Sequence, residues 1–160
     1  MKLQDKIPLA EPDAPISSAE SDRQIRVLLA EDDRALRRFL EVVLERAGYK
    51  VLPASDGLEA MKLALSTPVD IVVTDAMMPN LSGQEFCRFL RNSQTLSHLP
   101  IILLSALERK DTKHTAEQAD EFLAKPVTGE VLVECIEKLL NHRTSIANAS
   151  PPRIKSDPQA

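Results

Sequence analysis

The chain has 160 residues, 43% of them hydrophobic and 28% charged, with a formal net charge of -4. That size and balance suit one globular domain with a core of its own. The acidic balance and the lack of any basic run speak against a nucleic-acid surface. Nowhere does the sequence approach the ~18 consecutive apolar residues of a membrane span.

Residues 1–24 are rich in Pro, Ser, Ala and acids without any period. They read as a disordered leader, and they lack the uninterrupted apolar core of a secretory signal. IRVLLA (25–30) follows as a strand, then a helix whose stripe is Leu36, Phe39, Leu40, Val43, Leu44 and Ala47. Arg37 and Arg38 fall on the exposed side of that helix, and Gly48 closes it. YKVLPA (49–54) is a short second strand. Residues 57–66 form a second helix with Leu58, Met61, Ala64 and Leu65 on one face. DIVVT (70–74) is strand three, GQEFCRFLRN (83–92) a third helix buried through Phe86, Phe89 and Leu90, and IILLS (101–105) strand four after Pro100. EFLA (121–124) is a brief fifth strand. The last helix starts at Thr128 as N-cap and carries Val131, Leu132, Cys135, Ile136, Leu139 and Leu140. Residues 143–160 resemble the leader and read as a disordered tail without a helix-turn-helix pattern. Strands alternating with helices predict a doubly wound α/β sandwich with a parallel sheet covered on both faces.

Each apolar run hands over to a polar group at its carboxyl end. Strand one meets Glu31-Asp32-Asp33, strand three Asp75, strand four Ser105 and strand five Lys125-Pro126. In open α/β sheets the ligand crevice lies outside those ends, so topology alone brings these residues to one rim. Carboxylates crowded there repel one another unless a cation intervenes, and a few hard oxygen ligands suit Mg²⁺. A divalent cation, an ammonium and a hydroxyl together match three phosphoryl oxygens, and a central carboxylate can act as the nucleophile. Asp75 is therefore read as a phosphoacceptor. Asp33 fits an N-cap of the first helix. Cys87 and Cys135, without metal-type spacing, read as small hydrophobes in a reducing cytoplasm. His98, His114 and His142 are isolated and read as surface residues.

LLAEDD (28–33), VVTDAMMPNLSG (72–83), PIILLSA (100–106) and FLAKPV (122–127) stand in the order and near the spacing of a known family. Over residues 25–142 the chain resembles the CheY-like receiver domain of bacterial two-component response regulators. The resemblance implies a flavodoxin-like strand order 2-1-3-4-5. It also implies Mg²⁺ held by Asp32, Asp75 and the backbone carbonyl of Met77, with Glu31 acting through water. Ser105 and Lys125 would contact the phosphoryl group, and the Lys125–Pro126 bond would be cis. Phe122 matches an aromatic position that switches rotamer, although a plain core role stands beside that reading. Met77 and Leu107 would flank the phosphoryl group, and two apolar side chains there predict slow hydrolysis of the acyl phosphate.

The implied function is a phosphorylation-controlled switch rather than an enzyme. A histidine kinase or phosphotransfer protein would supply the phosphoryl group, and a downstream protein would read the result from a monomer or a phosphorylation-dependent dimer. No direct nucleic-acid or membrane contact is expected. The pattern frays between Ser105 and Phe122, where apolar residues are few and Gln118 stands where the family has Gly. A short or mobile fourth helix is expected over 108–118. Three rivals remain: a docking module that is never phosphorylated, a haloacid-dehalogenase-like phosphohydrolase, and a flavodoxin-like electron carrier. The second lacks its general acid, because Met77 stands where that family has Asp. The third would need a Ser/Thr- and Gly-rich first loop in place of three acids.

Overall fold

A computed structural model describes residues 23–106 and 118–147. Leu107 and the segment expected to hold a short fourth helix lie outside the described residues, apart from Gln118.

Five strands, β1 (Arg26–Ala30), β2 (Lys50–Ala54), β3 (Ile71–Asp75), β4 (Ile101–Ser105) and β5 (Glu121–Ala124), form one parallel sheet in the order β2-β1-β3-β4-β5. Four helices are described: α1 (Arg34–Arg46), α2 (Gly57–Ser66), α3 (Gly83–Asn92) and α4 (Gly129–Ala147). The pleat divides the strand residues between two cores. Leu28, Ala30, Val72, Ile101 and Leu103 pack with Ala60, Ala64, Phe86 and Leu90 on the α2–α3 face. Val27, Leu29, Ile71, Val73, Ile102 and Leu104 pack with Leu40, Leu44, Leu132 and Ile136 on the α1–α4 face. Burial on both faces explains why β3 and β4 are apolar almost throughout.

Local signals set the helix ends as the sequence suggests. Asp33 caps α1 by accepting from the Leu36 N–H at 2.7 Å, and Gly48 follows α1 at φ 93°. Thr128 Oγ1 accepts from the Val131 N–H at 3.4 Å at the start of α4.

The helical stripes differ from expectation at their edges. Phe39 is 49% exposed and Leu65 63%, while Leu58 and Val131 are also exposed. Phe89 is only partly buried, and Cys87 takes a core place beside Phe86. Helices lying on a sheet bury a narrower strip than their apolar periodicity outlines. Arg37, read as an exposed basic residue, is instead half-buried and donates to the backbone carbonyls of Glu31 (2.6 Å) and Asp32 (3.4 Å). Residues 143–147, assigned to a disordered tail, continue α4. His98 and His142 are exposed, as expected.

Candidate functional site

Strand register explains why distant residues meet. Ala30 pairs with Thr74, Asp75 with Leu104, and Ser105 with Ala124. Glu31, Asp75, Ser105 and Lys125 thus reach the carboxyl rim at nearly one level. The chain leaves β1 for β2 on one side and reaches β3 on the other, so the rim between β1 and β3 is the switch point of the sheet.

One carboxylate oxygen from each of Glu31, Asp32 and Asp75 lies within 4.8 Å of the others. Glu31 is fully buried and Asp75 is 4% exposed, whereas Asp32 faces solvent. Among the described residues, one ammonium is paired with two members of the group. Lys125 Nζ donates to Glu31 Oε2 at 2.8 Å and sits 3.1 Å from Asp75 Oδ2. Burial raises the Glu31 pKa above its ordinary value, against the bonds from Lys125 and the Asp33 N–H that favour the carboxylate. Burial also acts to lower the Lys125 pKa, but its bonds to Glu31 and Asp75 outweigh that and raise it. Lys125 is therefore fixed as a cation, and its bond to Pro126 is cis.

The second oxygen of Asp75 is held from its own loop, where the Met77 N–H donates to Asp75 Oδ1 at 3.2 Å. The Met77 side chain is 67% exposed. Ser105 is 3% exposed at the end of β4, and its backbone carbonyl accepts from the Lys125 N–H at 2.8 Å. Phe122 is half-buried against the α2–α3 core. Of the residues singled out in the sequence, Glu31, Asp32, Asp75, Met77, Ser105 and Lys125 are brought to one rim. Phe122 lies on β5 behind it.

Sequence reasoning missed the glycine that makes the acidic loop fit. A Cβ on Gly83 would lie 1.9 Å from the Asp75 carbonyl oxygen, so only glycine admits this approach of α3 to β3. A signal was available: Gly83 opens a helix, where a better helix former would ordinarily stand.

Three hard-oxygen donors with one exposed edge fit a small divalent cation such as Mg²⁺, which keeps several waters and takes few protein ligands. The donor set would leave a soft metal without thiolate or imidazole. Chemically, the arrangement offers a cation site beside a carboxylate that is held at both oxygens, with an ammonium at hand.

The comparisons with known proteins agree with this chemistry. Residues 27–137 match the response regulator receiver domain family. The response regulator MprA of Mycolicibacterium vanbaalenii is 40% identical over 122 residues, covering 75% of this chain and 52% of that protein. The DNA-binding dual master transcriptional regulator RpaA of Synechocystis is 31% identical, over 78% of this chain and 53% of that protein. Among solved structures, the response regulator TrrA of Thermotoga maritima in complex with Mg²⁺-BeF is similar at TM-score 0.67. It is 32% identical, over 73% of this chain and all of that one. The chain thus spans about half the length of curated relatives that it matches.

Proposed function

This chain belongs to the response regulator receiver domain family, and from that premise we propose that Asp75 accepts a phosphoryl group from a histidine kinase or phosphotransfer protein. A receiver domain is a phosphoacceptor signalling module, not an enzyme. The observation that carries the site assignment is the imbalance of charge: three carboxylates lie within 4.8 Å, and among the described residues the ammonium of Lys125 is paired with two of them, Glu31 and Asp75.

Asp32, Asp75 and the Met77 backbone carbonyl would hold Mg²⁺ directly, and Glu31 through water. The bound ion supplies positive charge against the phosphoryl oxygens as the transfer proceeds. The protein's own groups do the rest. The Met77 amide and Lys125 hold the Asp75 carboxylate by opposite oxygens, which fixes its orientation for in-line attack. As an Asp75 oxygen bonds to phosphorus, the phosphorus–nitrogen bond of the donor phosphohistidine breaks and its electron pair returns to the imidazole. Lys125 then balances the added negative charge. The Ser105 hydroxyl, at the next strand end, would then be drawn to the new phosphoryl group. Phe122 lies two positions before the carboxyl end of β5, where a shift of β4 and β5 would alter its packing.

The receiver unit is assigned to residues 25–142, and its output to a protein partner. Where the chain is part of a longer protein, like the DNA-binding relative it matches in part, nucleic-acid contact would fall to another domain. Among the described residues no helix is long and apolar enough to cross a membrane.

Incubation with acetyl phosphate or phosphoramidate and Mg²⁺ tests the assignment. One phosphoryl group is expected on the wild-type protein and none on Asp75→Asn. No labelling of the wild type would favour the phosphorylation-independent docking module, and labelling that survives Asp75→Asn would place the acceptor elsewhere.

A further inference from the structure

Gly57 opens α2, on the strand-end side of the sheet but outside the acidic cluster. Only Gly48 among the described glycines has positive φ, so Gly57 is not present for backbone freedom. Alanine would be the better helix former there. The reason for glycine is space. A Cβ on Gly57 would lie 2.2 Å from the Leu81 carbonyl oxygen and 2.8 Å from the Leu81 Cβ. The first turn of α2 therefore rests directly on the loop that follows Asp75.

A second contact joins the same two segments. Asp56 caps α2 with Oδ1, accepting from the Glu59 N–H at 2.8 Å, and its Oδ2 accepts from Asn80 Nδ2 at 3.3 Å. Asn80 sits at φ 68°, a left-handed conformation that a side-chain bond helps to hold. The far end of the loop is fixed as well. Gly83 lies against the Asp75 carbonyl, its N–H donates to the Ala76 carbonyl at 3.1 Å, and Ser82 with Glu85 forms a capping box at the start of α3. Residues 76–82 are thus held between the end of β3 and the start of α2. Within them lies Met77, whose N–H orients Asp75 Oδ1.

We propose that the Asp56–Gly57 turn is a positioning element for the metal site: by seating Asn80 and Leu81 it fixes the loop that carries Met77, and so sets Mg²⁺ affinity without touching the ion. This rests on the reading of Asp32, Asp75 and Met77 as the Mg²⁺ ligands. A Cβ at residue 57 must push Leu81 outward, because the nearest opposing atom is a backbone oxygen that cannot rotate aside. The displacement is passed along a short chain whose other end cannot yield.

Calorimetric titration of Mg²⁺ into the full chain tests this with three variants. Gly57→Ala is expected to weaken Mg²⁺ binding roughly fivefold, somewhat less than the about tenfold or more lost when a group bonded directly to a metal ligand is removed. Asp56→Ser keeps an N-cap for α2 but cannot reach Asn80, and should weaken binding about twofold. Gly48→Ala strains a left-handed residue at the opposite end of the sheet. It should lower the melting temperature and leave Mg²⁺ affinity unchanged, separating loss of positioning from loss of stability. If Gly57→Ala does not fold, Asp56→Ser decides. Wild-type affinity in Gly57→Ala and Asp56→Ser, or an equal loss in Gly48→Ala, overturns the proposal alone. A wild-type protein that binds no Mg²⁺ removes the underlying site assignment as well.

Discussion

Both rims of the sheet carry acids, but they neutralise them differently. At the amino rim, Asp70 accepts from the Arg26 N–H at 2.8 Å and is paired with Arg23. Asp120 accepts from the Ile101 N–H at 2.7 Å and pairs with Arg91 at 2.7 Å. Each acid ties down a strand's first N–H and has a guanidinium of its own. At the carboxyl rim, among the described residues, Glu31 and Asp75 share the ammonium of Lys125, no ion pair reaches Asp32, and Arg37 binds backbone carbonyls there instead of carboxylates. Acidity alone does not mark a functional site; acidity left uncompensated does.

Substitutions at the two rims should therefore have opposite signatures. Asp75→Asn should abolish phosphorylation outright, read by acid-labile incorporation from acetyl phosphate. Asp32→Asn should weaken Mg²⁺ binding by more than about tenfold, since it removes a ligand. The same change relieves repulsion, so the Mg²⁺-free variant should melt a few degrees higher than wild type in a thermal scan without Mg²⁺. Asp120→Asn should do the reverse. Loss of its ion pair and weakening of its bond to the Ile101 amide should cost about 1–2 kcal/mol in urea unfolding, with Mg²⁺ affinity untouched. A smaller effect is expected from the two residues that the family resemblance puts beside the phosphoryl group. Met77→Asn with Leu107→Glu should shorten the lifetime of the acyl phosphate severalfold by giving water a hydrogen-bonding approach, measured by loss of label over time. An unchanged lifetime would remove the assignment of those two residues.

The carboxyl rim was legible in the sequence because strands announce their ends. LLA before Glu31, VVT before Asp75 and ILL before Ser105 are short apolar runs, and parallel topology does the rest. The amino rim was not legible in this way. Asp70, which the sequence pattern places as the first residue of strand three, and Asp120 both precede their strands, and neither carboxylate stands out until its arginine is located 47 or 29 positions away. The helix faces were legible only in outline. Periodicity places Phe39, Leu58 and Val131 on apolar stripes, but which margin of a stripe clears the sheet depends on how each helix is rolled. The glycines at 57 and 83 carry no periodic signal, because their role is fixed by an approach between segments far apart in the chain.

Mg²⁺ titration followed by backbone amide NMR tests the contrast between the rims most directly. Saturable shifts are expected around Glu31, Asp32, Asp75, Met77 and Lys125, with Asp70 and Asp120 unmoved, and Asp32→Asn should suppress them. Shifts of equal size at both rims, or a linear drift without saturation, would mean that uncompensated charge at the carboxyl rim does not make a metal site.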